Sequence, residues 1–482
     1  MTSTFHGLEV GKRGISAQQT ALSVTGHNLS NVNTIGYTRQ RAEMQATPSI
    51  SINGVQLGTG VNVNSLVRLR EAYLDAQYRG ENKNLGYWEA KSDTLSKIEG
   101  ILNEPSEDGL ANALDEFWKG WQELAKNPDS AAARAVVSQN GVAVAETFKH
   151  ISDSLEQMQT DLKNVITTKT SEINSLASQI GNLNEQISRL VANNYQPNDL
   201  YDQRDVLIDQ LSKLVNVTVT PNANGNGMVD VSAGSGVLVS GKTASTLAID
   251  FDQTTGLVNP DEIKINGSKV TLESGELLGR IESYGIQGGG TKSTIPSMMD
   301  KINDLAKTFA EKVNEVHKSG LNLENINGGS PASVDFFVGT SAKDLMVNPD
   351  ILKNLNLISA ASEESPGHSS TGNGKNAQAM ADIKFDSSLT FNGATSSVGD
   401  YYRNIIGQLG IDSQEAQRME KNSEGIVNQI GITRQSVSGV DLDEEMTNMI
   451  KFQQAYNAAA RMVTTMDQCL DKIINGMGRV GL

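Results

Sequence analysis

Apolar residues fall into two textures along the chain: long helical periods at both ends and through the first half, and short alternating runs in the middle. From Thr4 to about Val32, Leu8, Ile15, Leu22 and Leu29 recur every seven residues, each preceded by Gly7, Gly14, Ala21 or Asn28. This is a one-residue seam beside a strip of small residues that lets another helix approach closely. Gly7, Gly11, Gly14 and Gly26 each cost about 1 kcal/mol relative to alanine in a helix interior, so the segment needs a partner to be stable. Near the other end, Met449, Phe452, Tyr456, Ala459, Val463, Met466, Leu470 and Ile473 alternate by three and four residues, the two-position heptad of a coiled coil. That helix is predicted to start within Val440–Leu442–Glu445, with Asp441, Asp443, Glu444 and Glu445 on the positive end of its dipole.

A third long helix is predicted from about Ala143 to Asn193. Phe148, Leu155, Leu162, Lys169, Leu176, Leu183 and Leu190 keep strict sevens, with companions first at +3 (Ile151, Met158, Val165) and later at +4 (Ile173, Ile180, Ile187). Such a stripe drifts around the helix. Shorter helices are predicted over Asp199–Leu214, Trp88–Ile101, Leu110–Leu124, Ile295–Val316 and Val398–Ser436. Between Val215 and Ser283 the period changes to two, as in Val215–Val219, Val229/Val231 and Val237/Val239, with Gly and Asn at the breaks. This reads as a small β unit, and Gly288–Gly290 as a flexible joint after it. The fold class expected is mainly α with an inserted β region.

Composition narrows the function. A hydrophobic share of 38% with 5% aromatic residues suits long helices with narrow apolar stripes better than one thick core. The net charge of −16 argues against sequence-independent nucleic-acid binding and against docking on an anionic membrane. No apolar run is long enough to span a bilayer, and the N-terminus has no secretory signal pattern. Cys469, the single cysteine, excludes an intramolecular disulfide and a cysteine-based zinc cluster.

Candidate chemistry is sparse. Gly236–Thr243 fits the phosphate-loop pattern G-x-x-x-x-G-K-[ST] letter for letter. Its inner positions are Val-Leu-Val and the following residues alternate as a strand, so Ser240–Thr243 is read as a hairpin turn. His6, His27, His150, His317 and His368 are scattered without a second ligand at metal spacing. Met446, Met449, Met462 and Met466 read as adaptable interface packing. No catalytic residue, cofactor or metal is expected, and the protein is not read as an enzyme. Two segments are richer in specific polar groups than packing requires, namely Asn28–Gln40, where Gly36 can turn the chain out of a helix, and Phe452–Ala460.

Asn28–Gln40 resembles the N-terminal signature of the bacterial flagellar axial proteins (rod, hook and hook-associated subunits), with Ile35 where that family usually has proline. Gly439–Glu445 followed by Phe452–Tyr456 looks like the C-terminal signature of the hook-associated branch, and Asp199–Leu211 is similar to an inner segment of it. The resemblance implies a structural subunit forming the junction between hook and filament. It implies export without a cleaved signal through the flagellar type III export apparatus to an extracellular position on the flagellum, with an export chaperone as a further candidate partner. The implied partners are further copies in a ring or short tube, the hook subunit and a second junction protein, with no nucleic acid and no membrane. The implied fold pairs the terminal helices as a coiled coil (1–40 with 437–482), beside a helix-rich middle domain (41–214 with 284–436) and a small β subdomain (215–283). Longer relatives carry an outer domain near Phe336–Phe337, and the short interval here leaves it little room. The assembly interface expected comprises Leu8, Ile15, Leu22, Leu29, Asn31, Asn33, Gly36, Tyr37, Arg39, Leu442, Met449, Phe452, Tyr456, Ala459, Val463, Met466, Leu470 and Ile473. Alternatives are another axial protein such as the hook subunit, a coiled-coil adhesin or, from a different class, a phosphate-loop nucleotide-binding protein.

Overall fold

The structure is a computed structural model, and it describes residues 5–52, 54–107, 109–328, 334–365 and 368–476. Helix α1 (His6–Ser30) leads into strands β1 (Gln40–Ala46), β2 (Ile50–Ile52), β3 (Val55–Leu57) and β4 (Val61–Arg68). Helices α2 (Ala72–Leu102), α3 (Leu110–Lys126), α4 (Ala131–Val191) and α5 (Asn198–Leu214) follow. Strands β5 (Val217–Pro221), β6 (Val229–Ala233), β7 (Gly236–Ser240) and β8 (Thr243–Ala244) form one antiparallel sheet. Strands β9 (Leu247–Phe251), β10 (Val258–Ile265) and β11 (Ser268–Lys269) form another. Helices α6 (Glu276–Tyr284), α7 (Thr294–Ser319), α8 (Leu323–Ile326), α9 (Pro349–Lys353) and α10 (Lys375–Asp382) are interspersed with the short pairs β12–β13 (Phe337–Val338, Met346–Val347) and β14–β15 (Leu389–Phe391, Ala394–Ser396). Two long helices close the chain, α11 (Val398–Ser438) and α12 (Leu442–Asp471). The mainly helical class with small sheets is the one the periodicity predicts.

Helix α4 is the axis of the body, 61 residues long and so about 90 Å from end to end. Its buried line runs Phe148, Ile151, Leu155, Met158, Leu162 and then passes to Ile173, Ile180 and Ile187, while Leu183 is half-buried and Leu190 exposed. The drift of the stripe is therefore real. The helix starts at Ala131 rather than Ala143, capped by Ser130, whose side chain accepts from the Ala133 amide. The early turns show no apolar period because Arg134 occupies the buried face. It donates to the carbonyls of Pro128 and Ile358.

An aromatic hub of Phe117, Trp118, Trp121, Phe309, Phe336 and Phe337 joins α3, α7 and β12, with neighbouring ring centroids 4.9–6.2 Å apart. The sheets do not stand apart from it: Val231, Val239, Leu247 and Ile265 enter the same buried core as α4. Three expectations need correction. Strands Gln40–Ala46, Ile50–Ile52, Val55–Leu57 and Val61–Arg68 open the stretch that was expected to belong to a helix-rich middle domain. The helix expected over Trp88–Ile101 spans Ala72–Leu102. The Gly288–Gly290 run is an ordered turn, with the Ser293 hydroxyl accepting from the Ile286 amide and the Gly289 amide donating to the Ile286 carbonyl.

His317 is fully buried beside the hub. Its Nδ1–H donates to the Val334 carbonyl at 2.8 Å, and Nε2 accepts the Ser359 amide at 3.0 Å. Burial pushes its pKa down to about 4. Because the folded value lies below the unfolded one, near 6.5, acid protonates the unfolded chain first. The neutral ring's contribution is present above pH 6.5 and is lost as pH falls towards 4, by about 3 kcal/mol at pH 4. Urea unfolding followed by near-ultraviolet circular dichroism at pH 7 and pH 4 should show this loss, and His317→Gln should reduce the difference between the two pH values.

Candidate functional site

Helices α1 and α12 lie antiparallel. The glycines of α1 face the heptad of α12, Gly7 against Met466, Gly11 against Val463 and Gly14 against Ala459. A β-carbon at Gly11 would stand 2.7 Å from Val463 Cγ2, and one at Gly14 3.5 Å from Ala459 Cβ. The small strip thus sets how close the backbones come. Met449, Phe452, Tyr456, Ala459, Val463, Met466 and Leu470 are half-buried along this contact, whereas Leu442 and Ile473, beyond its ends, are exposed. On α1 the expected seam of Leu8, Ile15, Leu22 and Leu29 is only half-buried, and the positions that are buried are Gly11, Ala17, Ala21, Val24, Thr25 and Asn28. The reason lies on the other side of the helix, where Gly60, at the entry to β4, packs so near that a β-carbon on it would stand 3.5 Å from Val10 and Arg13. Sandwiched between α12 and the strands, α1 turns its small residues inward and leaves the leucine line at the edge of the contact.

Where α1 ends, Asn28 organises the crossing. Its side chain, 1% exposed, donates to the Gln40 carbonyl (2.9 Å) and to Glu445 (3.2 Å), and accepts from the Tyr37 hydroxyl (2.8 Å) and the Gln40 amide (3.0 Å). Arg39 donates to Glu445 at 2.7 Å and, through both terminal nitrogens, to Glu444 at 2.7 and 2.9 Å. A two-pronged pair of this kind fixes orientation as well as distance. Asp441 caps α12 by accepting the amides of Asp443 and Glu444. The hydrogen bond from Arg39 holds the Glu444 carboxyl below its usual range. The Tyr37 hydroxyl is pushed far up, by burial first and then by the nearby charges of Asp199, Asp202 and Glu445.

The same crossing is bolted to the body through α5. Asp199 accepts from Gln40, and Asp202 accepts the Thr38 amide (2.9 Å) and Arg68 (2.8 Å). Asp205 meets Arg68 and Arg79, and Asp209 meets Arg79 and Arg434 at 2.7 Å each. Arg70 pairs with Asp75 and reaches the Thr38 hydroxyl. Burial raises the Asp202 carboxyl, and Thr38 and Arg68 only partly offset it. At Asp205 burial is outweighed by Arg70, Arg68 and Arg79, which hold it low. Sequence reasoning missed this ladder. The recurrence of aspartate along α5 at 199, 202, 205 and 209 was the available signal, since those positions share a helix face.

The remaining candidates have definite places. Asn31 closes α1 by donating to the His27 carbonyl at 3.0 Å and accepting from Thr34. Gly36 has φ +80°, and any β-carbon there would strike Val206 of α5. Asn33 is exposed, as is Cys469. The phosphate-loop-like stretch is a hairpin, with Ser240 paired to Thr243 and the Gly241 amide donating to Asp230 at 2.7 Å. Among the described residues no group of three His, Cys, Asp or Glu side chains could hold a metal ion. No helix there is long and apolar enough to cross a membrane.

The three motifs thus converge on one crossing, and comparison with known proteins places it. The chain is 42% identical to flagellar hook-associated protein 1 of Bacillus subtilis (strain 168), over 99% of both chains. The chain belongs to the flagellar hook-associated protein 1 family. A hook-associated protein 1 from Escherichia coli (strain K12) is 27% identical, the match covering 96% of this chain and 98% of that one. The family model described as the flagellar hook-associated protein FlgK helical domain matches residues 95–337. Models described as flagella basal body rod protein and flagellar basal body rod FlgEFG protein C-terminal match residues 8–38 and 434–476, that is, α1 with its exit loop and α12 with its lead-in. The solved structure of the flagellar hook junction protein FlgK from Burkholderia pseudomallei has the same fold, with a TM-score of 0.57 at 16% identity, over 76% of this chain and 100% of that one.

Proposed function

We propose that the protein is a non-catalytic subunit of the flagellar axial structure that joins hook to filament, and that copies assemble side by side through α1 and α12. The observation that carries this reading is the half-covered state of the helix pair. Each helix has one face in contact, yet large apolar residues at the edges, Leu8 to Leu29 on α1 and Met446 and Ile450 on α12, still meet solvent. Burying one such side chain contributes roughly 1.5–3 kcal/mol, so several per subunit offset the cost of ordering the glycine-rich α1. On this reading residues 1–40 and 437–482 form the tube segment, 41–214 and 284–436 the body, and 215–283 a β subdomain resting on α4. The Asn28–Arg39–Glu445 crossing and the α5 aspartates set the angle between tube and body. The hook subunit on one side, a second junction protein on the other, and delivery through the flagellar export apparatus without a cleaved signal belong to the same proposal.

Deleting the gene in the source bacterium tests it. The expected cells carry hooks without filaments and shed filament protein into the medium, as seen by electron microscopy and immunoblotting. Cells that keep attached filaments would overturn it. If the chain were instead the hook subunit, the deletion would remove the hooks themselves.

A further inference from the structure

The ribbon β2–β3 presents an apolar face that its own subunit leaves open. Ile50 pairs with Leu57, and Ser51 with Gln56. Ile50, Val55 and Leu57 therefore share one face, and Ser51 and Gln56 the other. The three apolar side chains are 49%, 60% and 36% exposed. A free two-stranded ribbon is marginal in water, yet this one has a built base. Thr47 and Thr59 join their hydroxyls at 2.6 Å, Thr59 also donates to the Pro48 carbonyl at 2.7 Å, and Arg13 of α1 reaches the Thr59 carbonyl. Residues 47–60 carry no charged side chain in a chain that is 20% charged, and charge depletion marks the core of a protein interface.

We propose that this face docks on α1 of a second copy, on the line Ile15–Leu22–Leu29. The proposal rests on the assembly reading above and deepens it by naming the contact. The receiving line matches in kind: residues 14–26 also lack any charged side chain, and the line is only half-covered in its own subunit. Exposure excludes the ribbon's own α1 as the receiver, since Ile50, Val55 and Leu57 all stay open beside it. Strand β1 starts beside Asn28 and runs back along α1 to the base at Val10 and Arg13. Beyond that base the ribbon extends for three or four residues per strand, about 10 Å at strand rise. Its base lies at Val10 and Arg13, so the offset along α1 from there to Leu22, the middle of that line, is about 15 Å. A patch and its complement on one chain, displaced along one axis, join head to tail and generate a ring or a helical tube.

Placing the photocrosslinker p-benzoylphenylalanine at Val55 and irradiating intact flagellated cells tests the contact. The expected product is a covalent dimer of this chain whose linked peptide lies within residues 14–29 of the second copy. An adduct only to a different flagellar protein, a link to the terminal residues of the same chain, or no adduct would overturn the proposal. The second arm is functional. Val55→Asp with Leu57→Asp should reduce attached filaments at least tenfold at equal secreted level and unchanged circular dichroism, while Ser51→Asp with Gln56→Asp on the opposite face should not. Wild-type filament numbers in the first variant would also overturn it. The deletion strain separates the two levels, because it loses filaments if the junction reading holds, whatever the ribbon contacts.

Discussion

Gly11→Val should leave the body folded and the cells without filaments. A β-carbon at this position meets Val463 Cγ2 at 2.7 Å, and valine is the wrong neighbour to yield, since a β-branched side chain has essentially one χ1 well in a helix. Overpacking a tight contact costs about 1–3 kcal/mol. The helix pair is half-exposed along most of its length, so it has little reserve to absorb that. The aromatic hub and α4 lie elsewhere in the fold and keep their packing. The contrast is Gly7→Ala. Its new methyl group meets only the thioether end of Met466, which has three rotatable bonds and can move aside, and assembly should survive. Filament staining together with hydrogen exchange over residues 6–30 would check both. Normal filaments in Gly11→Val would mean that close approach of these two helices is not needed.

Asn28→Leu is expected to be the most damaging single polar change. It keeps the size of the side chain and removes four hydrogen bonds in one step. The amide and carbonyl of Gln40, the Tyr37 hydroxyl and one oxygen of Glu445 lose a partner in a site nearly closed to water. Each buried polar group left unpaired costs about 1–3 kcal/mol, so a total of roughly 3–5 kcal/mol is expected after partial relaxation. Hydrogen exchange should report α1 and the first turns of α12 opening together while α4 stays protected. Asn31→Ala provides the reference, because it removes only contacts at the exposed end of α1, with an effect within about 0.5 kcal/mol. Equal behaviour of the two variants would contradict the role given to Asn28.

The parts of the fold legible in the sequence are those where one periodic face does one job. The α12 heptad from Met449 to Leu470, the drift of the α4 stripe from Phe148 to Ile187 and the period-two runs from Val217 to Ile265 appear as read, while Ile473 and Leu190 fall outside the covered faces. The three polar motifs were also visible, each as an isolated segment. Their convergence was not, because Arg39 meets Glu444 and Glu445 across more than four hundred positions, and an ion pair leaves no period in either segment. The arginines that complete the α5 ladder, Arg68, Arg70, Arg79 and Arg434, come from three separate stretches of chain for the same reason. Strands β1 and β4 were missed because one face of the pair is largely open to water. The alternation in Val61–Asn62–Val63–Asn64 is too brief to outweigh the polar residues of Arg41–Gln45. The leucine line of α1 was placed at the centre of its contact when it lies at the edge, since nothing local in the sequence announces that strands will cover the opposite side.

Antiparallel pairing of α1 with α12 also fixes when this part of the molecule can form. Gly7 waits for Met466 and Gly11 for Val463, so the first helix made finds its mate only when nearly the whole polypeptide has appeared. The loop to be closed is almost the full length of the chain, and such long-range closure is slow compared with local helix formation. A chain fed out from its leading end would keep that end single until the last turns arrive, and the hub and α4 could settle first. The order of folding would then itself delay association until each subunit has a finished body.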